Sequence, residues 1–271
     1  MSLTDIDGVV LVGAGRMGLA LARGWLNAGL RPEALTLCDP APQDAATAFA
    51  DEEGVVLTPV PPREAARVVV LAVKPQVMAS VLPTLGTLIG PHTLVVSIAA
   101  GIALASLLDG LATHRVVRAM PNTPAQIGQG MTGAVAAPGV SSEDLEVAEA
   151  LLAAAGALLW FDEESRIDLV TAVSGSGPAY VFYLVETLAA AGAAEGLAPE
   201  DAMKLARQTV IGAAALMDED MTDAATLRQN VTSPNGTTAA ALAVLMAPDG
   251  LAALMKKAVA AARKRAEELG R

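Results

Sequence analysis

Short apolar runs rich in β-branched residues alternate with segments of helical spacing through the first 161 residues. The runs predict strands over 6–12, 34–38, 55–57, 67–73, 93–98, 115–119, 131–137 and 158–161. Between them the spacing predicts a helix that opens as LALARGWLNAG from Leu19, helices over 45–53, 76–88 and 103–108, and a helical turn over 61–66. A further helix covers 143–155 behind a Ser141–Ser142 cap. Strands apolar on both faces, each followed by a helix, define an α/β fold with a doubly wound, mostly parallel, Rossmann-type sheet.

From Arg166 onward the pattern changes, and no strand is expected. Helices are predicted over 166–173, 177–195, 199–219, 237–247 and 249–268. The chain therefore divides into a dinucleotide-binding domain, residues 1–164, and an all-α dimerisation and substrate domain, residues 165–271. SGSGP at 174–178 breaks the first helical pair; it reads as a kink of small residues or as a close helix crossing beside the cofactor cleft. The helix over 177–195 is apolar on most sides, which requires burial. Few helices in one chain are available to cover it, so a homodimer is the minimum assembly.

Composition narrows the partners. The chain is 53% hydrophobic and 17% charged, with a mean hydropathy of +0.48. Its uncharged stretches are interrupted by Pro and Gly, so no membrane span of about 20 apolar residues is expected. No basic segment followed by an apolar one suggests a signal peptide, which makes the cytoplasm the expected location. A net charge of −11 argues against nucleic acid. Cys38 is the one cysteine and falls in a strand, as a small apolar residue would. His92 and His114 form no cluster, so no metal site is expected.

Two stretches carry chemistry. GAGRMG, residues 13–18, lies between a strand and a helix, the context that gives a glycine fingerprint its meaning. Gly13 permits the tight turn, Gly15 lets a pyrophosphate approach the backbone, and Gly18 lets helix and strand pack closely. Asp39 ends the second strand, where an acid accepts hydrogen bonds from the adenosine ribose and repels a 2′-phosphate; it could equally form a turn ahead of Pro40. Arg16 or Arg63 could offset that repulsion. Further candidates sit at other strand ends: Ala72-Val73-Lys74, Ala99-Ala100-Gly101 and Met120-Pro121-Asn122. Lys74 could be a catalytic amine, but a Lys before Pro more often ends a strand. The second stretch is LRQNVTSPNGTTAAAL, residues 227–242. Its turn formers precede a helix for which Thr237 or Thr238 would serve as N-cap. Free N–H groups at that helix start, with the hydroxyls of Ser233, Thr237 and Thr238, suit a carboxylate.

These pieces occur together with AVKP at 72–75, SIAAGI at 97–102, RAMPNTPA at 118–125, AVSGSGPAY at 172–180 and VTSPNGTTAAAL at 231–242. In this order, and over nearly the whole chain, they resemble the pyrroline-5-carboxylate reductase family. The resemblance implies reduction of the cyclic imine 1-pyrroline-5-carboxylate to L-proline by NADPH or NADH. It implies cofactor contacts from Gly13, Gly15, Arg16, Met17, Gly18, Asp39, Ala72, Val73, Lys74, Ala99, Ala100, Met120, Asn122 and Asn230. It implies a substrate site of Glu164, Val231, Ser233, Gly236, Thr237 and Thr238, with Thr238 bonding the substrate nitrogen. It also implies interleaved dimers that build larger rings such as a decamer.

The sequence departs from the family pattern at two places. Many NADPH-using relatives carry small hydroxyl residues where this chain has Asp39-Pro40. Where an Asn helps hold the ribose or its phosphate, this chain has Pro61. Both departures predict use of NADH. A β-hydroxyacid dehydrogenase, which shares the two-domain plan, would need a Lys on the first long helix of the second domain, and residues 167–203 contain none. A cofactor-binding sensor would leave the 231–238 loop without a purpose, and a purely structural helical assembly would leave the glycine fingerprint without one.

Overall fold

A computed structural model describes residues 1–111 and 113–270. The chain forms two compact units. One comprises Met1–Ser176 with Ala262–Arg271 and the other Gly177–Ala261, with Arg271 itself outside the described residues.

The first unit is built on an eight-stranded sheet: β1 (Val9–Val12), β2 (Leu35–Cys38), β3 (Val56–Thr58), β4 (Val68–Leu71), β5 (Leu94–Ser97), β6 (Val116–Met120), β7 (Gly130–Ala136) and β8 (Gly156–Trp160). Their spatial order is β3-β2-β1-β4-β5-β6-β7-β8. The β6–β7 pair is antiparallel and every other pair parallel. Four central strands read VVLV, VVVL, LVVS and VVRAM because both sheet faces are covered; the first three are buried along their whole length. Two apolar clusters sandwich the sheet. One gathers Leu11, Leu21, Trp25 and Phe49, and the other Val69, Leu71, Leu85 and Leu107.

The helices are α1 (Arg16–Asn27), α2 (Asp44–Glu53), α3 (Pro75–Val81), α4 (Leu104–Leu111), α5 (Ser142–Ala153) and α6 (Arg166–Val170). Ser141 caps α5 in a reciprocal box with Asp144, as the double serine predicted. Residues 61–66 form no helical turn. Pro61 and Pro62 offer no N–H to close one, and the N–H of Ala66 is already committed to Leu88 O, in the turn after Leu85, at 3.0 Å. The helix expected over 76–88 tightens into a 3-10 turn at Leu82–Leu85, where Pro83 removes a donor. A π-turn, Thr171–Gly175, continues α6 into the SGSGP segment, and the break falls at Ser176, before Gly177 opens the next helix.

The second unit holds α7 (Gly177–Ala194), α8 (Pro199–Glu219), α9 (Ala224–Asn230), α10 (Thr237–Leu245) and most of α11 (Leu251–Leu269), whose residues from Ala262 on count with the sheet unit. The spacing did not predict α9. It is short, and its start signal is Asp223, whose carboxylate accepts from the N–H groups of Ala225 and Thr226. The buried apolar cluster of this unit is small: Ala189, Ala202 and Ala206. Phe182 and Tyr183 on α7 are 62% and 66% exposed, and Leu205, Ile211 and Met217 on α8 are over half exposed. A helical pair with so little core and so much apolar surface needs a covering partner. Among the described residues, no helix is long and apolar enough to cross a membrane.

Candidate active site

The strand order reverses between β1 and β4, and a cleft of about 790 Å³ opens there at the carboxyl ends of β1, β2 and β4. Open α/β sheets bind ligands at this kind of switch point. Gly13, Gly15, Asp39, Pro61, Ala72, Val73 and Lys74 all line it. Six of the expected cofactor residues are thus brought together, with Pro61 beside them.

The glycine fingerprint has a physical reading at each position. Gly13 sits at φ +97°, and a Cβ there would lie 2.8 Å from Ala72 O. Gly18 is pressed on the turn: its Cβ would lie 2.4 Å from Gly13 O. Gly15 has nothing within 4 Å of its Cβ position, and it caps α1 without a side-chain bond. The turn and the helix start are therefore fixed by two glycines, while the third leaves open space in front of α1, where N–H groups and the helix dipole favour a phosphate.

Asp39 is committed to the fold on both oxygens. Oδ2 accepts from Ala14 N at 2.9 Å and Oδ1 from Ala41 N at 3.0 Å. The turn-forming role and a place in the cleft are both present. Cys38 beside it is buried; burial raises its thiol pKa and the Asp39 charge raises it further. Asp39 and Lys74 are the two charged residues lining the cleft. Lys74 is exposed and stands at the N-cap position of α3, ahead of Pro75.

The other expected cofactor residues lie elsewhere in the sheet unit. Arg16 lines a separate hollow of about 320 Å³ with Leu19, Ala20, Arg23 and Gln126. Met17 packs against the apolar cluster beneath α1. Ala99 and Ala100 follow β5, with Ala99 buried. Met120 ends β6 and is half-buried, packed on the second apolar cluster. Asn122 is nine-tenths buried, and its amide is engaged on both sides. Oδ1 accepts from Met131 N at 2.8 Å, and Nδ2 donates to Ser174 O and Oγ at 3.2 and 3.1 Å. Asn122 therefore ties the MPN turn to β7 and to the SGSGP segment.

Glu164 joins a polar group that the sequence did not reveal. Its Oε1 accepts from Leu104 N at 2.7 Å, closing the start of α4, and from Arg118 Nη1 at 2.7 Å. Arg118 is 5% exposed and also reaches Asp168 at 3.4 Å. Arg118 and Asp168 were missed because the ion pair spans 50 residues. The nearest signal was an Arg inside an apolar strand pattern, which needs a buried acid as partner.

In the helical unit, Asn230, Val231, Ser233, Gly236, Thr237 and Thr238 lie together around one tight turn. Asn235 takes φ +60°, a conformation tolerated by Asn, and Gly236 N donates to Ser233 O at 3.1 Å. The N-cap of α10 is Gly236, not Thr237 or Thr238, which become its first two helical residues. The turn closes one residue earlier than hydroxyl preferences suggest because Asn235 supplies the left-handed step. No side chain caps α10, so its first N–H groups face outward beside the threonine hydroxyls. Among the described residues, no group of three or more His, Cys, Asp or Glu could hold a metal ion.

A doubly wound sheet with an open glycine turn at its switch point is the arrangement of a dinucleotide-binding domain, the class to which NAD(P)-dependent oxidoreductases belong. The family model described as pyrroline-5-carboxylate reductase dimerisation matches residues 164–269, and that of NADP oxidoreductase, coenzyme F420-dependent, matches residues 8–101. A pyrroline-5-carboxylate reductase of Pseudomonas aeruginosa is 44% identical over 263 residues, covering 96% of both chains. One from Arabidopsis thaliana is 37% identical over 96% of this chain and 95% of its own. The solved pyrroline-5-carboxylate reductase of Coxiella burnetii superposes with a TM-score of 0.91 at 35% identity, over 98% of this chain and 100% of that one. This chain belongs to the pyrroline-5-carboxylate reductase family.

Proposed function

We propose that the protein reduces 1-pyrroline-5-carboxylate to L-proline with a reduced nicotinamide cofactor, the last step of proline biosynthesis. The single observation that carries this is the full-length 44% identity to a reductase of that name, joined to an open glycine turn at the sheet's switch point. The cofactor supplies a hydride from nicotinamide C4, which goes to the imine carbon while the nitrogen ends as an amine. A protonated imine is the better electrophile, so the protein's task is positioning and charge complementarity.

In this reading, Gly13, Gly15, Arg16, Met17, Gly18, Asp39, Ala72, Val73, Lys74, Ala99, Ala100, Met120, Asn122 and Asn230 form the cofactor-binding set. Several of these act by shaping the walls; Asn122 does so through its three bonds. Glu164, Val231, Ser233, Gly236, Thr237 and Thr238 form the substrate set. The uncapped start of α10 receives the carboxylate. Thr238 bonds and orients the ring nitrogen; a hydroxyl is too weak an acid to be the proton source.

NADH is the cofactor the cleft accommodates better under this proposal. Asp39 stands in the cleft as a negative charge, Pro61 replaces a polar side chain, and neither Arg16 nor Arg63 lines the cleft. A relative from Plasmodium falciparum, 27% identical with a TM-score of 0.81 over 99% of each chain, was solved with NADP bound, so NADPH is the competing choice. The working assembly is a homodimer through residues 165–271, built further into a ring such as a decamer; the exposed apolar faces of α7 and α8 support the dimer. The cytoplasm is the compartment this reading carries with it. The test is isotopic. With cofactor carrying deuterium at both C4 positions and pyrroline-5-carboxylate, deuterium should appear on proline Cδ, the former imine carbon, and not on Cα. Proline formed without label would overturn the mechanism.

A further inference from the structure

We infer that the last turn of α11 is a positioning element for the loop that follows β5, residues 99–103. The inference rests on the proposed reductase reading in one respect, that this loop borders the nicotinamide.

The observation is a close backbone approach inside the sheet unit. Gly101 sits at φ +73°, and a Cβ there would lie 3.1 Å from Leu269 O, 3.2 Å from Leu269 Cβ and 3.3 Å from Leu269 C. The main chain of α11 therefore rests on the bare face of Gly101. Leu269 itself is 56% exposed, and the contact is made by its carbonyl together with its Cβ. Ala266, one turn earlier, is 7% exposed, which anchors the helix end.

The same loop is held from its other end. Leu104 N donates to Glu164 Oε1 at 2.7 Å, and Glu164 is held in turn by Arg118. Glu267 and Gly270 of the α11 end line a cavity of about 340 Å³ with Ala103, Arg118, Glu164 and Asp168. A loop with few bonds of its own is thus clamped between a strand end, an acid and a helix end. Among the described residues, Ala99 N donates to Ser97 Oγ, at a long 3.4 Å. Hydride transfer depends steeply on the placement of the nicotinamide, and a displacement of about 1 Å can cost roughly 100-fold. Loosening the clamp should therefore lower turnover more than it lowers affinity.

The test uses the full chain and three variants. Gly101→Ala puts a methyl against Leu269 and strains the loop. Gly54→Ala applies the same left-handed strain, at φ +70°, where nothing lies within 4 Å. Leu269→Gly loosens the helix end and leaves the loop sequence intact. Expected results are a fall in kcat of about tenfold or more for Gly101→Ala, with the Kd of the reduced cofactor, read by its fluorescence, changing less than threefold. Gly54→Ala should keep its kcat whatever it loses in Tm. Amide hydrogen exchange of residues 99–104 should quicken in Leu269→Gly. The inference is overturned by kcat within twofold of the parent in Gly101→Ala, by an equal loss in Gly54→Ala, or by unchanged exchange in Leu269→Gly. Exchange is read without turnover. A parent protein that reduces no pyrroline-5-carboxylate would therefore count against the reductase reading, while the exchange result would still decide the role of α11.

Discussion

The main-chain N–H of Ala14, in the middle of the glycine turn, donates to Asp39 Oδ2 at 2.9 Å. The acid at the end of β2 therefore shapes the turn at the end of β1. Its second oxygen accepts from Ala41 N at 3.0 Å, which favours keeping the negative charge where a 2′-phosphate would have to lie.

Asp39→Ala should weaken NADH more than NADPH. The variant loses the charged acceptor for the ribose hydroxyls, a bond worth about 1.5–3 kcal/mol, which is roughly 10- to 100-fold in KM for NADH. It also removes the charge that opposes NADPH, so the ratio of kcat/KM values should shift toward NADPH. Initial rates with both cofactors check this. An equal loss with both would leave Asp39 a structural role only.

Gly18→Ala should damage the turn from behind. The added Cβ would lie 2.4 Å from Gly13 O, and both partners are backbone, so α1 must move. Overpacking of this kind costs about 1–3 kcal/mol. Calorimetry should show a lower Tm, and cofactor titration a weaker Kd. A variant with both unchanged would mean that α1 can slide freely.

Thr238→Ala should lower kcat by about 10- to 100-fold, from one lost hydrogen bond of roughly 1.5–3 kcal/mol, while cofactor affinity stays near the parent value. Steady-state kinetics with a parallel cofactor titration tests it. Parent-like turnover would remove Thr238 from the site.

Asp144 offers a pH test remote from the cleft. It is fully buried and accepts from Arg115 Nη2 at 2.6 Å, Arg67 Nη1 at 3.2 Å and Ser141. Burial raises its pKa, but the Ser141 and Arg67 bonds and the Arg115 charge together hold it below the ordinary carboxylate value. A carboxyl with a depressed folded pKa stabilises fully above its unfolded pKa, about 4, and loses that contribution as pH falls through the lower folded value. Asp144→Ala should cost about 3 kcal/mol at neutral pH, because Arg115 loses its acid while Arg67 keeps Glu143 at 2.9 Å. The Tm gap to the parent should narrow in acid below about pH 4. A gap of constant size on acidification would contradict the pairing.

Phe182→Glu should weaken self-association. The side chain is 62% exposed on an apolar helix face, and a charge placed in a dry interface is costly. Sedimentation velocity should move toward a smaller species; an unchanged coefficient would put the interface elsewhere.

The strands of the sheet unit were legible because buried parallel strands read as unbroken apolar runs, and VVLV and VVVL cannot be much else. The glycine turn was legible because each glycine has a distinct steric duty. What stayed hidden depends on distance along the chain. Asn122 and Ser174 are 52 residues apart, and nothing in either motif names the other. Arg118, Glu164 and Leu104 meet only once β6, α4 and α6 are assembled. At 61–66 helical spacing was outvoted by two prolines. At α10 the hydroxyl residues yielded the cap to Gly236, since Asn235 could take the left-handed turn that a threonine resists. The apolar girth of α7 was readable, and its exposure in one chain follows from a core of three alanines.

The most direct measurement is cofactor oxidation with pyrroline-5-carboxylate, run in parallel with NADH and NADPH and with proline quantified at the end. The account predicts proline formed mole for mole with cofactor oxidised, and a kcat/KM at least as high for NADH as for NADPH. A kcat/KM strongly favouring NADPH would contradict the roles given to Asp39 and Pro61. Cofactor bound but no proline formed with either would contradict the reductase itself.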